Sequence, residues 1–271
     1  MLCGEMPFTA AHVLAVLPGL RWHSRLRLDP TCLVIGSMAP DFEYFVRGEL
    51  VGRYSHTFVG IAGWGVPVTL VVAALYHHVV KWPVLLAAPA AITPLLARPW
   101  QARWTVGAVI SVVVSAALGD LTHLLWDGLT HANGVFVRRI PELHAPYDLP
   151  VVGGMVTHRI LQHTSTILGL LGVGWFTLRR IRHAAGPPRQ ARRARARWIM
   201  VGCLAVGIAL LEIRLVSMHV RDPGSVITAA ISGSLAGAIV AGLFLRGAGQ
   251  AYARQVGMAT ASPKRVGQAS S

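Results

Sequence analysis

The sequence predicts an all-α protein, a polytopic transmembrane helical bundle of five or six spans with short amino-terminal helices that are interfacial or re-entrant. Three observations predict it. Hydrophobic residues make up 54% of the 271 residues and charged residues only 13%, against roughly 25% charged in soluble domains, and the mean hydropathy is +0.53. Apolar segments of membrane length recur along the chain, with tryptophans at several of their ends. The basic residues behind the net charge of +14 lie between those segments rather than on one amphipathic face. That placement implies membrane lipids, not nucleic acid, as partners. Cys3, Cys32 and Cys203 are odd in number and form no CxxC, so neither a disulfide framework nor a thiolate zinc site is implied.

In chain order, Met1 to Glu5 lacks the basic and apolar regions of a signal peptide, and no cleavage is expected. Thr9 caps a short helix that carries His12 and ends at Leu17, where Pro18 and Gly19 stop it. Arg21, His23, Arg25 and Arg27 form a basic connector. Asp29-Pro30 then reads as an N-cap with proline at the first helical position, opening a helix that Pro40 interrupts beside Asp41 and Glu43. The first full span runs from about Phe58 to Val80, with His56 at its entrance and Trp82 at the far interface. Pro83 to Ala97 is apolar but broken by Pro89 and Pro94, and it falls short of the roughly twenty residues needed to cross. Trp104 and Trp126 bracket the next span, separated by about 33 Å of helix. A loop from His131 to about Met155 could cover the polar end of that span. Further spans run from Thr157 to Leu178, where His158 and Gln162 share a face and His163 points elsewhere, from Trp198 to Met218, and from Val226 to Leu245. The run from Arg189 to Arg197 is a topology signal. Gly233, Gly237 and Ala241 give the last span a small-residue face suited to a second copy of the chain. Residues 246–271 read as a disordered tail.

The most unusual stretch is Gly119 to His131. On a helix, Asp120, His123, Asp127 and His131 project within an arc of about 80°, one polar stripe at the end of an apolar span. Carboxylate and imidazole one turn apart can share a proton or a divalent metal such as zinc or manganese, and ionisable groups in a membrane are costly and usually functional. Whether His56 can join that stripe depends on topology. If the arginine run is cytoplasmic and the proline-broken segment crosses fully, six spans result and His56 lies opposite Asp127. If that segment is re-entrant, five spans place both on the outer side, at the cost of Arg21, Arg25, Arg27, Arg47 and Arg53 lying outside as well. The five-span arrangement is preferred.

Met6-Pro-Phe-Thr9 with His12, Ile35-Gly-Ser-Met-Ala-Pro-Asp-Phe-Glu-Tyr44, Ser55-His-Thr57 and His123 to His131 resemble DUF4184, a family of bacterial integral membrane proteins without established function, over about Met6 to Leu178. The resemblance implies Met6 as the start of the protein. It also divides the chain into a membrane domain at 1–178 carrying these motifs, a basic connector at 179–197, two further transmembrane helices at 198–245 and the tail, in a multi-pass protein of a bacterial inner membrane. The motif order is also similar to that of membrane-bound predicted metal-dependent hydrolases. Carried over motif by motif, that similarity implies Asp41, His56, His123 and Asp127 as metal-handling residues, with His12 and His131 as further candidates; the polar stripe adds Asp120 to the candidates. The chain departs from that pattern in having Phe42-Glu43 where the hydrolases have paired acids after Pro-Asp.

Three function classes follow. A metal with an open position, lowering the pKa of bound water, would make a hydrolase of a lipid or lipid-linked phosphoester. A proton- or ion-coupled carrier would use Asp120 and His123 as a relay. A non-catalytic protein would use the stripe only to fasten helices together. No Walker loop, dinucleotide fingerprint or nucleophilic serine motif is present, so neither a nucleotide nor a flavin is expected.

Overall fold

A computed structural model describes residues 9–47, 52, 54–87, 105–149, 153–182, 192–217 and 223–255 of the chain. A 3-10 turn at Thr9–His12 leads into α1, Val13–Trp22, followed by α2, Pro30–Gly36. A second 3-10 turn at Ala39–Asp41 precedes α3, Phe42–Arg47. The long helices are α4, Phe58–Ala87, and α5, Val106–Thr130, then α6, Thr157–Arg182, α7, Arg192–Ser217, and α8, Pro223–Gln255. Between α5 and α6 stands a two-stranded antiparallel hairpin, β1, Pro146–Leu149, and β2, Gly153–Val156, with Pro146 opposite Val156. This hairpin was not legible in the sequence, because its strands are four residues each and lack alternation.

The all-α bundle predicted from composition is the fold. Among the described residues, four helices are long and apolar enough to cross a membrane: α4, α5, Ala196–Ile213 within α7 and Ser225–Arg254 within α8. The fifth expected span, α6, is 26 residues long, but His158, Arg159, Gln162 and His163 make its first turns polar and keep it out of that group. His56, two residues before α4, has its Nε2 3.6 Å from Asp127 Oδ2 near the end of α5. The entrance of one helix and the exit of the other therefore share one end of the bundle, as in the five-span arrangement. Of the proline-broken segment, residues 88–97 lie outside the described residues, as do Met1 to Phe8, residues 183–191 of the connector, Met218 and the tail beyond residue 255.

Several boundaries differ from the sequence expectations. Helix α1 continues through Pro18 and Gly19 to Trp22, because Val13 and Val16 bury with Leu33, and Leu17 and Leu20 pack on them, an apolar grip that offsets the one hydrogen bond proline removes. Helix α4 passes Val80 and Pro83 without a break. It does so through two π-turns, Ile61–Gly65 and Tyr76–Val80, which contain the residues four before Pro67 and Pro83. The wider turns accommodate rings that would otherwise clash with those carbonyls. Helix α8 runs to Gln255, well past residue 246, since Gly242 and Gly249 let it lie directly on the backbone of α4 at Val79 and Trp82. Tyr252 buries there with Leu86, Ala196 and Leu245. The small-residue face expected to serve a second copy is occupied within the chain: a Cβ on Gly233 or Gly237 would overlap the carbonyls of Gly207 or Cys203 on α7, and Ala241 is fully buried.

The contact that positions the functional residues is between α2 and α5. Asp29 caps α2, its Oδ1 accepting from Cys32 N–H at 2.8 Å, and Asp29 N–H donates to Ser115 Oγ at 2.7 Å. A Cβ on Gly36 would overlap the Ala116 carbonyl, and one on Gly119 the Leu33 carbonyl, so the two backbones touch. Gly36→Ala and Gly119→Ala are each expected to lower stability in detergent by about 1–3 kcal/mol through overpacking. Gly107→Ala, where none of the described residues approaches within 4 Å, should show no loss in the same thermal melts.

Candidate metal centre

Close approach of α2 brings the Ser37 carbonyl to the fully buried ring of His123, whose Nδ1–H donates to it at 2.9 Å. That bond fixes the tautomer and turns Nε2 toward the turn that follows α2, where Asp41 is buried. His123 Nε2 stands 3.5 Å from Asp41 Oδ1 and 3.1 Å from Asp127 Oδ2, one helical turn along α5. His56 arrives from the opposite side, held by the loop before α4, whose Thr57 caps that helix by accepting from Gly60 N–H at 2.9 Å. His56 Nε2 is 3.3 Å from Asp41 Oδ1 and 3.6 Å from Asp127 Oδ2, and its Nδ1 is 2.9 Å from Ser55 Oγ.

His12 and His131 complete the surroundings of Asp127. His12 Nε2 and His131 Nδ1 each lie 3.5 Å from Asp127 Oδ1. The His12 ring stacks on His123 with centroids 3.9 Å apart. Burial, with His123 beside it, pushes His12 down to about 4, so it is neutral and its lone pair is available. Burial alone would raise the Asp41 carboxyl, but His123 and the bond from His56 outweigh it and hold Asp41 below its usual value. His131 caps α5 in an extended conformation rather than continuing the helix, so it reaches Asp127 from beyond the last turn and not along the stripe.

The structure thus gathers Asp41, His56, His123 and Asp127, drawn from three parts of the chain, with His12 and His131 against them. Among the described residues, two sets of donor atoms lie mutually within 4.8 Å and could hold a metal ion: His12, Asp41 and His123, and His56, His123 and Asp127. Buried atoms without a hydrogen-bond partner concentrate here. They include both His12 nitrogens, Asp41 Oδ2, His123 Nε2 and Asp127 Oδ1, and such a concentration of orphaned donors and acceptors is what an ion would relieve. Exposure marks the way in. The side chains of His56 and His131 are 25% and 21% exposed, whereas those of His123 and Asp41 are 0% and 4%, so the cluster opens past His56 and His131 and closes at His123.

Asp120 does not enter either donor set. It is fully buried one turn before His123, with its carboxylate against Gly65 at the end of the first π-turn, and neither oxygen has a hydrogen-bond partner among the described residues. Two neighbours of the site were missed by the sequence reading. Tyr44, present in the motif but given no role, stacks on His56 with centroids 5.2 Å apart and holds its hydroxyl 3.5 Å from Nε2. Burial, with Asp41 and Asp127 beside it, pushes that phenol up and keeps it protonated. The Ser37 contribution is a backbone carbonyl, for which side-chain sequence carries no signal. His158 and Gln162, which share a buried face, serve another purpose: His158 Nδ1 donates to the Leu143 carbonyl at 3.0 Å and ties α6 to the segment ahead of the hairpin.

A Cβ on Gly65 would occupy the place of the Asp120 carboxylate. Gly65→Ala should therefore destabilise the protein in thermal melts, and Gly65→Ala with Asp120→Ala should recover part of that loss, a non-additive pair. Strict additivity would show that the two residues do not compete for space.

The chain belongs to the family described as "Domain of unknown function (DUF4184)", whose model matches residues 6–245. No curated protein and no solved structure matches it.

Proposed function

We propose that this DUF4184 protein is a metal-dependent hydrolase of a lipid or lipid-linked phosphoester, embedded by several passes in a bacterial inner membrane. The proposed ligands are Asp41, His56, His123 and Asp127, and the ion is divalent, zinc or manganese. One observation carries the reading: the four contacts between these two imidazoles and two carboxylates run from 3.1 to 3.6 Å. A four-coordinate ion with bonds of 2.0–2.2 Å keeps its donors about 3.3–3.6 Å apart. Mixed nitrogen and oxygen donors suit zinc, and the carboxylates also suit manganese.

A divalent ion there would supply Lewis-acid activation of water and of a phosphoryl oxygen. The residues supply the rest. The Ser37 carbonyl and Ser55 Oγ each engage the Nδ1 of a histidine and so orient the Nε2. Tyr44 holds a proton beside His56, where it can be donated to an anionic oxygen of a substrate entering past His56 and His131. Helices α4 and α5, whose apolar lengths end at this cluster, favour a substrate presented at a lipid surface. Asp120, buried without a hydrogen-bond partner among the described residues, is the observation that favours a second reading, a proton-coupled carrier.

Metal analysis of the purified protein separates these readings. Wild type equilibrated with zinc or manganese and then desalted is expected to retain one ion per chain, and His123→Ala to retain none. Asp127→Ala should abolish both the bound metal and hydrolysis of a phosphodiester while membrane insertion stays intact. A purely structural ion would instead give lower expression and thermal stability together with metal loss. A wild-type protein that retains no divalent ion would leave the carrier or helix-fastening readings in place of the hydrolase.

A further inference from the structure

Glu43 is a buried acid that the metal centre does not use. It lies on α3, is 2% exposed, and enters neither set of candidate metal donors among the described residues. Its Oε2 accepts from the backbone N–H of Ser55 at 2.9 Å and of Tyr54 at 3.2 Å. Its Oε1 accepts from Arg47 Nε at 3.0 Å and pairs with Arg47 Nη2 at 2.8 Å. One carboxylate thus grips two successive peptide groups immediately before His56, through bonds that its charge makes roughly twice as strong as neutral ones.

The consequence is directional. Fixing the peptides of residues 54 and 55 fixes where the chain leaves Ser55 and hence where the next side chain points. Ser55 is itself fully buried, and its Oγ lies against His56 Nδ1, which leaves Nε2 to face Asp41 and Asp127. Helix α3, from which Glu43 projects, is in turn fastened to α8, since Ser232 Oγ donates to the Phe45 carbonyl at 2.8 Å. We infer that Glu43 is a positioning residue, which holds the Tyr54–Ser55 backbone so that His56 Nε2 points at Asp41 and Asp127. In this protein the acid after Pro-Asp-Phe places a ligand instead of being one. The effect on metal binding rests on the proposed metal centre; the effect on the loop does not.

Two measurements on the full-length protein in detergent separate those parts: amide hydrogen exchange followed on peptides covering residues 54–57 and α5, and zinc affinity by competition with a chelator. Glu43→Ala should speed exchange at 54–57, leave α5 as protected as in wild type, and weaken zinc binding about 10–100-fold, the usual effect of losing a residue that orients a ligand. Glu43→Gln, which keeps an acceptor oxygen but loses the charge, should show the same changes to a smaller degree. His56→Ala should weaken zinc binding with exchange at Tyr54 and Ser55 unchanged. Wild-type exchange at 54–57 in both Glu43 variants would overturn the inference, and so would faster exchange there with unaltered zinc affinity. If both variants exchange faster in α5 as well, the role of Glu43 is global and local positioning is wrong. A wild type that binds no zinc would sink the metal centre alone, because exchange at 54–57 still decides whether Glu43 holds the loop.

Discussion

Asp127 is the group on which the arrangement depends. Its two carboxylate oxygens face four imidazoles: Oδ1 meets His12 and His131, and Oδ2 meets His56 and His123. An anion at the end of an apolar helix, 8% exposed, is untenable without such company, since a buried charge costs far more than a buried hydrogen-bonding group. The chain surrounds Asp127 with imidazoles by bringing the turn before α1, the loop before α4 and the end of α5 to one point. The fold at this end of the bundle is the set of turns that allows those segments to meet.

The meeting is made possible by residues that have almost no side chain and by others that break helices. Gly36, Ala116 and Gly119 let α2 lie against the backbone of α5, which is why a main-chain carbonyl at Ser37 can reach His123. Asp29-Pro30 starts α2 at the right place and Pro40 ends the following run, so that Asp41 projects from a tight turn and not along a helix. Further along, the π-turns ahead of Pro67 and Pro83 keep α4 continuous, and the first of them opens the space that Asp120 fills. Packing at the far end, between α7, α8 and the last part of α4, is a separate matter of glycine against backbone.

Much of this was legible in the sequence for a simple reason: an apolar chain advertises its exceptions. The stripe of Asp120, His123 and Asp127 is visible because helical spacing puts the three on one face of a segment rich in Val, Leu and Ala. Asp41 and His56 were legible as polar residues at apolar boundaries, in motifs resembling those of DUF4184. Less legible were features that depend on a neighbour. His131 follows the helical spacing but caps the helix, because a four-residue repeat does not announce where a helix ends. Asp120 lies on the same stripe and yet faces Gly65, a distinction that requires knowing which helix packs on which side. Glu43 reads as a terminal acid until its partners, two backbone N–H groups eleven and twelve residues on, are known. The span count was open because Pro89 and Pro94 break the segment that follows; Pro83 itself does not stop α4, because a π-turn one turn earlier absorbs it.

The central claim is that two imidazoles and two carboxylates from separate segments share one divalent ion, and X-ray absorption at the zinc edge of the zinc-loaded, full-length protein tests it most directly. The account predicts nitrogen and oxygen neighbours at about 2.0–2.2 Å, outer-shell scattering from two imidazole rings in wild type, and scattering from a single ring in His56→Ala. Zinc surrounded only by oxygen, with no imidazole scattering, would contradict it.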